Sequence, residues 1–274
     1  MNTKADYSGD PVTAARSVML ELAQLLGQYR NHIVIIGGWV PELRYPARGH
    51  VGSTDVDLAL NHTALDQYGY ATIEKLLVDR GYDRDKDRPG VFHRTVVVNG
   101  REIKVEVDLM AGEYAGTGKS HRHQNVQDVK ARKARGCELA FEGPQEVTIS
   151  GSLPNGSQDS AKVLIASVVA FVVMKGMALC DRVKEKDAYD IYFCLINHPG
   201  GPERLVEEFR PHAQQGLVME ALEKIARKFE TVDHYGPRAV VDFLQIADGE
   251  ERERVQRDAF ERVQYLVRGL MAPK

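Results

Sequence analysis

The octapeptide STDVDLAL at residues 53–60 alternates between acidic and apolar side chains once it reaches Asp55. Successive side chains of a β-strand point to opposite faces, so Val56, Leu58 and Leu60 share one face and Asp55 and Asp57 share the other. The pattern predicts a strand that covers a core with one face and presents two carboxylates on the other.

A second strand pair is predicted downstream. The Asn-Gly dipeptide at residues 99–100 separates two apolar-rich stretches, 95–98 and 101–109. Asn-Gly accepts the positive φ angles of a type I′ turn, so this segment is expected to form a β-hairpin. On its second arm, Glu106 and Asp108 lie on the polar face.

The apolar run at residues 33–36 ends at Gly37 and Gly38, which is typical of a buried strand followed by a tight turn. Such a glycine pair can also bring backbone N–H groups close to an anion. Trp39, the only tryptophan, could stack on a base, although packing against the short helix that follows is the favoured interpretation.

The rest of the chain predicts an α+β protein with a mixed β-sheet core flanked by helices and a C-terminal helical domain. Residues 150–160 are rich in Gly, Ser, Asn and Pro, and are interpreted as a linker. The predicted domains are therefore 1–150 and 160–274. No strand is expected beyond the linker. The predicted helices there are approximately 160–180, 184–197, 203–210, 214–231, 236–247 and 250–270.

Composition excludes several classes of protein. The chain has 274 residues, 36 Lys plus Arg against 39 Asp plus Glu, and a net charge of −3, so no global basic field indicates nucleic-acid binding. The N-terminus lacks the apolar stretch of a secretory signal, and no stretch is long and apolar enough for a membrane span. Three widely spaced cysteines favour a reduced, cytoplasmic setting.

The acidic residues predict a cation site. Asp55 and Asp57, about 6–7 Å apart along one strand face, repel each other unless a cation lies between them, and carboxylates of this kind suit Mg²⁺. An isolated pair is more often a solvated strand face. If a neighbouring strand adds Asp108, the three carboxylates form the two-metal arrangement that activates a hydroxyl and stabilises a leaving pyrophosphate. Glu106 is a rival, but is interpreted as an outward charge paired with Lys104 or Arg101.

These motifs together resemble a known family. Residues 33–38 (IVIIGG), 53–58 (STDVDL) and 105–109 (VEVDL) are similar to the motifs of the nucleotidyltransferase superfamily with the polymerase-β-like fold. Lys175 followed by residues 184–192 (KEKDAYDIY) resembles the corresponding segment of the AbiEii/AbiGii toxin-like branch.

The resemblance implies two Mg²⁺ ions and an NTP donor. It implies that Asp108 shares a metal with the attacking hydroxyl, that Lys175 lies near the triphosphate, and that Asp187 or Asp190 holds the helical part against the site or orients a basic side chain. The residues implied are Asp55, Asp57, Asp108 and Lys175 as catalytic groups, the three aspartates also as metal ligands, and Gly37, Gly38, Ser53, Lys186, Asp187 and Asp190 as nucleotide-binding groups.

The expected activity is transfer of an NMP from an NTP to a hydroxyl acceptor, with tRNA as one candidate and a toxin–antitoxin or phage-defence role implied by the branch. An antitoxin protein is then an expected partner. The alternatives are an enzyme that modifies a small aminoglycoside-like molecule and a non-catalytic nucleotide-binding module.

A local basic run offers one further candidate. Residues 119–123 (KSHRH) and the basic residues of 130–135 could track a nucleic-acid backbone such as a tRNA end. The favoured alternative is a solvated helix face near the active site. His121 and His123 lack a third ligand in the pattern, which argues against a transition-metal site.

Overall fold

The computed structural model describes residues 3–65, 72–112, 123–126 and 129–271. The strands are β1 Ile33–Ile36, β2 Asp55–Leu60, β3 Asp83–Arg84, β4 Val91–Val98, β5 Arg101–Ala111, β6 His123–Val126, β7 Val129–Lys133, β8 Gln145–Ser152 and β9 Gln158–Ile165. The α-helices are α1 Asp10–Leu25, α2 Val40–Arg44, α3 His62–Leu65, α4 Ile73–Asp79, α5 Val168–Asp181, α6 Glu185–Asn197, α7 Gly201–Phe209, α8 Gly216–Lys228, α9 Tyr235–Leu244 and α10 Gly249–Met271. Short 3₁₀ helices span Lys4–Tyr7, Gly27–His32, Gly37–Trp39, Cys137–Phe141 and Arg210–His212.

In the described part of the chain, the nine strands form one mixed sheet. Its main order is β3-β4-β5-β2-β1-β9-β8, while β7 pairs with β5 and β6 pairs with β7. The pairs β2·β5, β1·β9 and β5·β7 are parallel, and the remaining pairs are antiparallel. The predicted combination of helices with a mixed sheet is confirmed.

The chain divides into two compact units. The sheet unit comprises Tyr7–Arg44 and Gly52–Ser167, and the helical unit comprises Met1–Asp6, Tyr45–Val51 and Val168–Lys274. Tyr45–Val51 thus leaves the sheet unit after α2 and contributes to the helical unit before the chain returns to β2.

The core of the sheet unit lies between α1 and the apolar face of the sheet. Val18 and Leu22, one helical turn apart on α1, are buried in the same cluster as Val56, Leu58 and Val107. Because this face of β2 and β5 is committed to the core, the intervening acidic residues project from the opposite face.

The predicted hairpin is confirmed. Val98 pairs with Arg101, and the two turn residues Asn99 and Gly100 have φ angles of 50° and 75°. Both angles are positive, as a type I′ turn requires.

The predicted linker is wrong. Residues 150–160 belong to the β8–β9 hairpin, in which Ser150 pairs with Ser160. The Gly, Ser and Asn residues supply its turn, where Asn155 Oδ1 accepts a hydrogen bond from the Ser157 N–H at 3.0 Å. The helix expected from residue 160 begins only at Val168, because the residues before it form β9.

Two further features concern membrane-spanning helices and the cysteines. Among the described residues, no helix is long and apolar enough to cross a membrane. Cys137, Cys180 and Cys194 are free thiols.

Candidate functional site

The sheet unit brings the three predicted aspartates together. β2 and β5 are parallel neighbours in which Asp57 pairs with Asp108, and Asp55 pairs with Glu106. Paired residues point to the same face and lie about 4.8 Å apart across the strands. Asp108 is buried, whereas Asp55 and Asp57 are partly exposed. The result is a carboxylate cluster on the face of the sheet opposite the core.

Gly37 makes room for one of these carboxylates. It follows β1, in which Ile36 pairs with Asp57. Its φ is +68°, and a β-carbon built on it would lie 1.9 Å from Asp57 Oδ2. Both the backbone conformation and the space therefore require glycine at this position. The neighbouring Gly38 is buried within the 3₁₀ helix Gly37–Trp39.

Asp55 is held by two hydrogen bonds from residues outside its own strand. The Ser53 hydroxyl donates to Asp55 Oδ1, and the Trp39 indole Nε1–H donates to the Asp55 carbonyl oxygen at 2.7 Å. Gly52 fits closely against the Trp39 ring, which a β-carbon would approach to 3.0 Å. The favoured interpretation of Trp39 as a packing residue is confirmed, because it is 1% exposed. No pattern in the sequence indicates its hydrogen bond to Asp55.

A further acid, Glu138, lies near this cluster and was not predicted. It belongs to the 3₁₀ helix Cys137–Phe141, and its Oε2 would lie 3.0 Å from a β-carbon on Gly112. Burial raises the pKa of the Cys137 thiol well above its usual range, and the negative charges of Glu138, Asp108 and Asp57 raise it further. The Cys137 thiol is therefore expected to be neutral at physiological pH.

The donor set fits a hard cation such as Mg²⁺. The aspartates supply carboxylate oxygens on one face, and Gly37 leaves the space that the Asp57 carboxylate fills. Among the described residues, no group of three or more His, Cys, Asp or Glu side chains is placed so that it could hold a metal ion. An ion here would need further oxygen ligands, such as the phosphate groups of a nucleotide.

Glu106 is paired, but with a different partner from the predicted Lys104 or Arg101. Its two oxygens accept hydrogen bonds from Arg88 Nη1 at 3.0 Å and Nη2 at 2.7 Å. Arg88 lies in the turn between β3 and β4. Arg88 therefore binds Glu106 in a bidentate manner. The prediction considered only partners on β5 itself, and residue spacing along that strand does not indicate a partner in another turn.

The helical unit contains a buried ionic network built around α5 and α6. Lys175 Nζ lies 2.7 Å from both Asp187 Oδ1 and Asp190 Oδ2. Asp187 also accepts hydrogen bonds from Arg182 Nε at 2.8 Å and Nη2 at 3.0 Å. Lys186 Nζ donates to both oxygens of Asp190, at 2.9 and 3.1 Å. Apart from the Arg182 side chain, these charged groups are buried, so the alternative of a surface ion pair is wrong.

The network stays charged despite its burial. Burial alone would lower the pKa of Lys175, but the charges of Asp187 and Asp190 raise it above its usual range. Burial alone would raise the pKa of Asp190, but the charges of Lys175 and Lys186 hold it well below its usual range. Asp187 and Asp190 therefore keep Lys175 charged and fix the position of its ammonium group.

His50 completes the network and was not predicted. Its Nε2 lies 3.0 Å from Asp190 Oδ1, and its ring stacks on Tyr189 and meets the Phe193 ring edge-on. Burial lowers the pKa of His50 to about 4, although the hydrogen bond to Asp190 opposes this shift. At neutral pH the imidazole is neutral, and Nε2–H donates to the carboxylate.

The basic run is only partly described. Residues 119–122 lie outside the described residues, and for 123–126 and 129–133 the backbone is described. These two segments form β6 and β7, so the alternative of a helix face is wrong for them. Arg132 pairs with Met110, two residues beyond Asp108 on β5.

Comparisons with protein-family models and with characterised proteins found no match to this chain. The resemblance to nucleotidyltransferases therefore depends on the motifs quoted above.

Proposed function

We propose that the protein is a metal-dependent nucleotidyltransferase that moves an NMP from an NTP to a hydroxyl acceptor. The observation that carries this proposal is the pairing of Asp57 with Asp108 on neighbouring parallel strands, with Asp55 two residues away on the same face. A sheet that concentrates like charges at this spacing loses stability unless a cation offsets them.

The chain's own residues would hold and orient the reacting groups. Mg²⁺ held by Asp55, Asp57 and Asp108 would neutralise the triphosphate and promote ionisation of the acceptor hydroxyl. Ser53 fixes the orientation of the Asp55 carboxylate, and Gly37 allows that of Asp57. Such fixed positions are the main protein contribution to phosphoryl transfer, which depends on positioning and electrostatics.

A nucleic-acid hydroxyl is the acceptor that the sheet favours over a small molecule. β7 contains Lys130, Arg132 and Lys133, and its backbone extends the sheet beside β5 just beyond Asp108. Basic residues on a strand next to the acids suit a phosphate backbone approaching them. The roles of Lys175, Lys186, Asp187 and Asp190 toward the triphosphate, and the toxin role, stay predictions from the resemblance.

The test is transfer of label from α-labelled NTPs in the presence of Mg²⁺, with total tRNA and aminoglycosides as separate acceptors. We expect labelled tRNA with the wild-type protein and a loss of at least about 100-fold in Asp57→Asn and Asp108→Asn. Glu102→Gln is the matched control, since Glu102 is an exposed acid on the same strand as Asp108. Labelling that persists in both aspartate variants, or no labelling by the wild type with any NTP, contradicts the proposal.

A further inference from the structure

Glu106 is the fourth carboxylate on the acidic face of the sheet. It pairs with Asp55 just as Asp108 pairs with Asp57, so the four acids form two adjacent rows. Within each row the strands are about 4.8 Å apart, and the rows are about 6–7 Å apart along the strands. By position alone, Glu106 is as well placed to bind a cation as the three aspartates.

Arg88 forms hydrogen bonds to the Glu106 carboxylate, and its guanidinium also forms a hydrogen bond to Asp85. Besides its two bonds to Glu106, the guanidinium donates from Nη2 to Asp85 Oδ2 at 2.9 Å. Asp85 also accepts hydrogen bonds from the backbone N–H groups of Asp87 and Arg88 and lies 2.9 Å from His93 Nε2. Asp85 and its hydrogen bonds within the turn therefore orient the Arg88 guanidinium toward Glu106.

This preorganisation separates the pair from an ordinary surface ion pair. Exposed pairs are weak because two long side chains must be ordered. The planar guanidinium of Arg88 is already ordered by Asp85 and presents two parallel donors to Glu106, which is the strong form of carboxylate recognition. A cation that recruited Glu106 would first have to break both of these bonds.

We propose that Arg88 withholds Glu106 from the cation site, which limits the site to Asp55, Asp57 and Asp108. This inference rests on the proposed cation site, and it specifies that three carboxylates rather than four are available to the cation. Fewer carboxylates weaken cation binding and leave coordination positions for phosphate oxygens, as suits Mg²⁺. A fourth carboxylate would favour Ca²⁺, which takes six to eight oxygen ligands.

The test uses Trp39 as a reporter of cation binding. It is the only tryptophan, is buried, and donates its indole N–H to the Asp55 carbonyl oxygen. Its fluorescence is titrated with Mg²⁺ and with Ca²⁺ in the full-length protein, and calorimetry provides an independent affinity. Circular dichroism checks that each variant is folded.

We expect Arg88→Ala to bind Mg²⁺ about tenfold more tightly, and Ca²⁺ with a larger gain, because Glu106 is released. Glu106→Gln should stay within about twofold of the wild type, and the double variant R88A/E106Q should return to within about threefold. Arg88→Lys keeps the charge but loses the bidentate contact, and it should show a partial gain. Lys104→Ala removes an exposed charge from the same strand face and is the control for long-range electrostatics.

Three results would overturn the inference. The first is unchanged cation affinity in Arg88→Ala. The second is weakening by Glu106→Gln that matches Asp57→Asn, since Glu106 would then be a ligand in the wild type. The third is a gain in cation affinity in R88A/E106Q, or in Lys104→Ala, that equals the gain in Arg88→Ala. Removal of a positive charge alone would then explain the tighter binding. A wild-type protein that shows no response to Mg²⁺ in either assay contradicts the proposed function as well.

Discussion

The α-carbon of Gly37 faces the carboxylate of Asp57 so closely that a β-carbon on Gly37 would lie 1.9 Å from Oδ2. The end of β1 is thus shaped around an acid of β2. A tight turn needs only the positive φ of Gly37. The close contact adds a second requirement, because the Asp57 carboxylate fills the space that a side chain at Gly37 would need. The glycine therefore permits the orientation of the Asp57 carboxylate.

Gly37→Ala should displace the Asp57 carboxylate. A positive φ costs alanine about 1–2 kcal/mol, and overpacking against Asp57 should add a further ~1–3 kcal/mol. Gly100→Ala is the matched control, because Gly100 has a φ of +75° and a β-carbon added there would meet nothing within 4 Å. Urea unfolding and Mg²⁺ titration of both variants measure the difference. Equal stability losses, with Mg²⁺ affinity unchanged in Gly37→Ala, would show that the close contact is unimportant.

Lys175→Met should strongly destabilise the protein. Removing one partner of a buried ion pair typically costs about 3–5 kcal/mol, because Asp187 and Asp190 stay buried with less compensation. Lys162→Met removes an exposed lysine paired with Glu146 and should cost less than about 1 kcal/mol. Chemical denaturation compares the two. A similar small loss in both variants would mean that the Lys175 network contributes little to stability.

Stability should fall as the pH drops from about 6.5 to about 4 because of His50. The pKa of His50 is lowered to about 4 in the folded protein, while the unfolded chain takes up its proton near pH 6.5. Within this window the unfolded state binds more protons, so acidification favours unfolding by roughly 3 kcal/mol in total.

His50→Gln tests this assignment, since an amide can still donate to Asp190 but does not titrate. Urea unfolding at pH 7 and pH 5 should show a smaller pH effect in this variant than in the wild type. His234→Gln, at a partly exposed position before α9, is the control and should keep the wild-type dependence. An unchanged pH dependence in His50→Gln argues against the assignment.

Cys137 should resist thiol reagents in the folded protein. Burial and the charges of Glu138, Asp108 and Asp57 raise its pKa, so little thiolate forms. Ellman's reagent at pH 8 should react first with Cys180, which is partly exposed, and with all three cysteines after denaturation. Rapid labelling of Cys137, identified by peptide mapping, would contradict the environment described for it.

The sequence predicts best where the signal is local. The alternation around Asp55 and Asp57 and the Asn-Gly turn at residues 99–100 depend on strand periodicity and turn chemistry, and both predict the observed structure. The strand β9 was missed because its alternation is short and its end merges with the apolar start of α5. Without pairing partners, such a run cannot be distinguished from a buried helix.

The contacts that sequence analysis missed in each unit join residues that are separated along the chain. Arg88 reaches Glu106 through a turn, and His50 meets Asp190 across 140 positions. Neither pairing leaves a periodic signal, because tertiary packing alone brings the groups together. Trp39 could have been suspected as a unique residue between the glycine pair and the acids, but its hydrogen bond to a backbone carbonyl has no sequence signature.

Tyr45–Val51 belongs to the helical unit although it lies between two segments of the sheet unit in the sequence, and this has a consequence for the order of folding. During synthesis this segment leaves the ribosome more than a hundred residues before α6, which supplies Asp190 as the partner of His50. The helical unit therefore cannot finish assembling on its own late in translation, since it needs a piece of chain made early. Cutting the gene between Ser167 and Val168 would separate His50 from its carboxylate, so the two units are not independent modules that recombination could exchange.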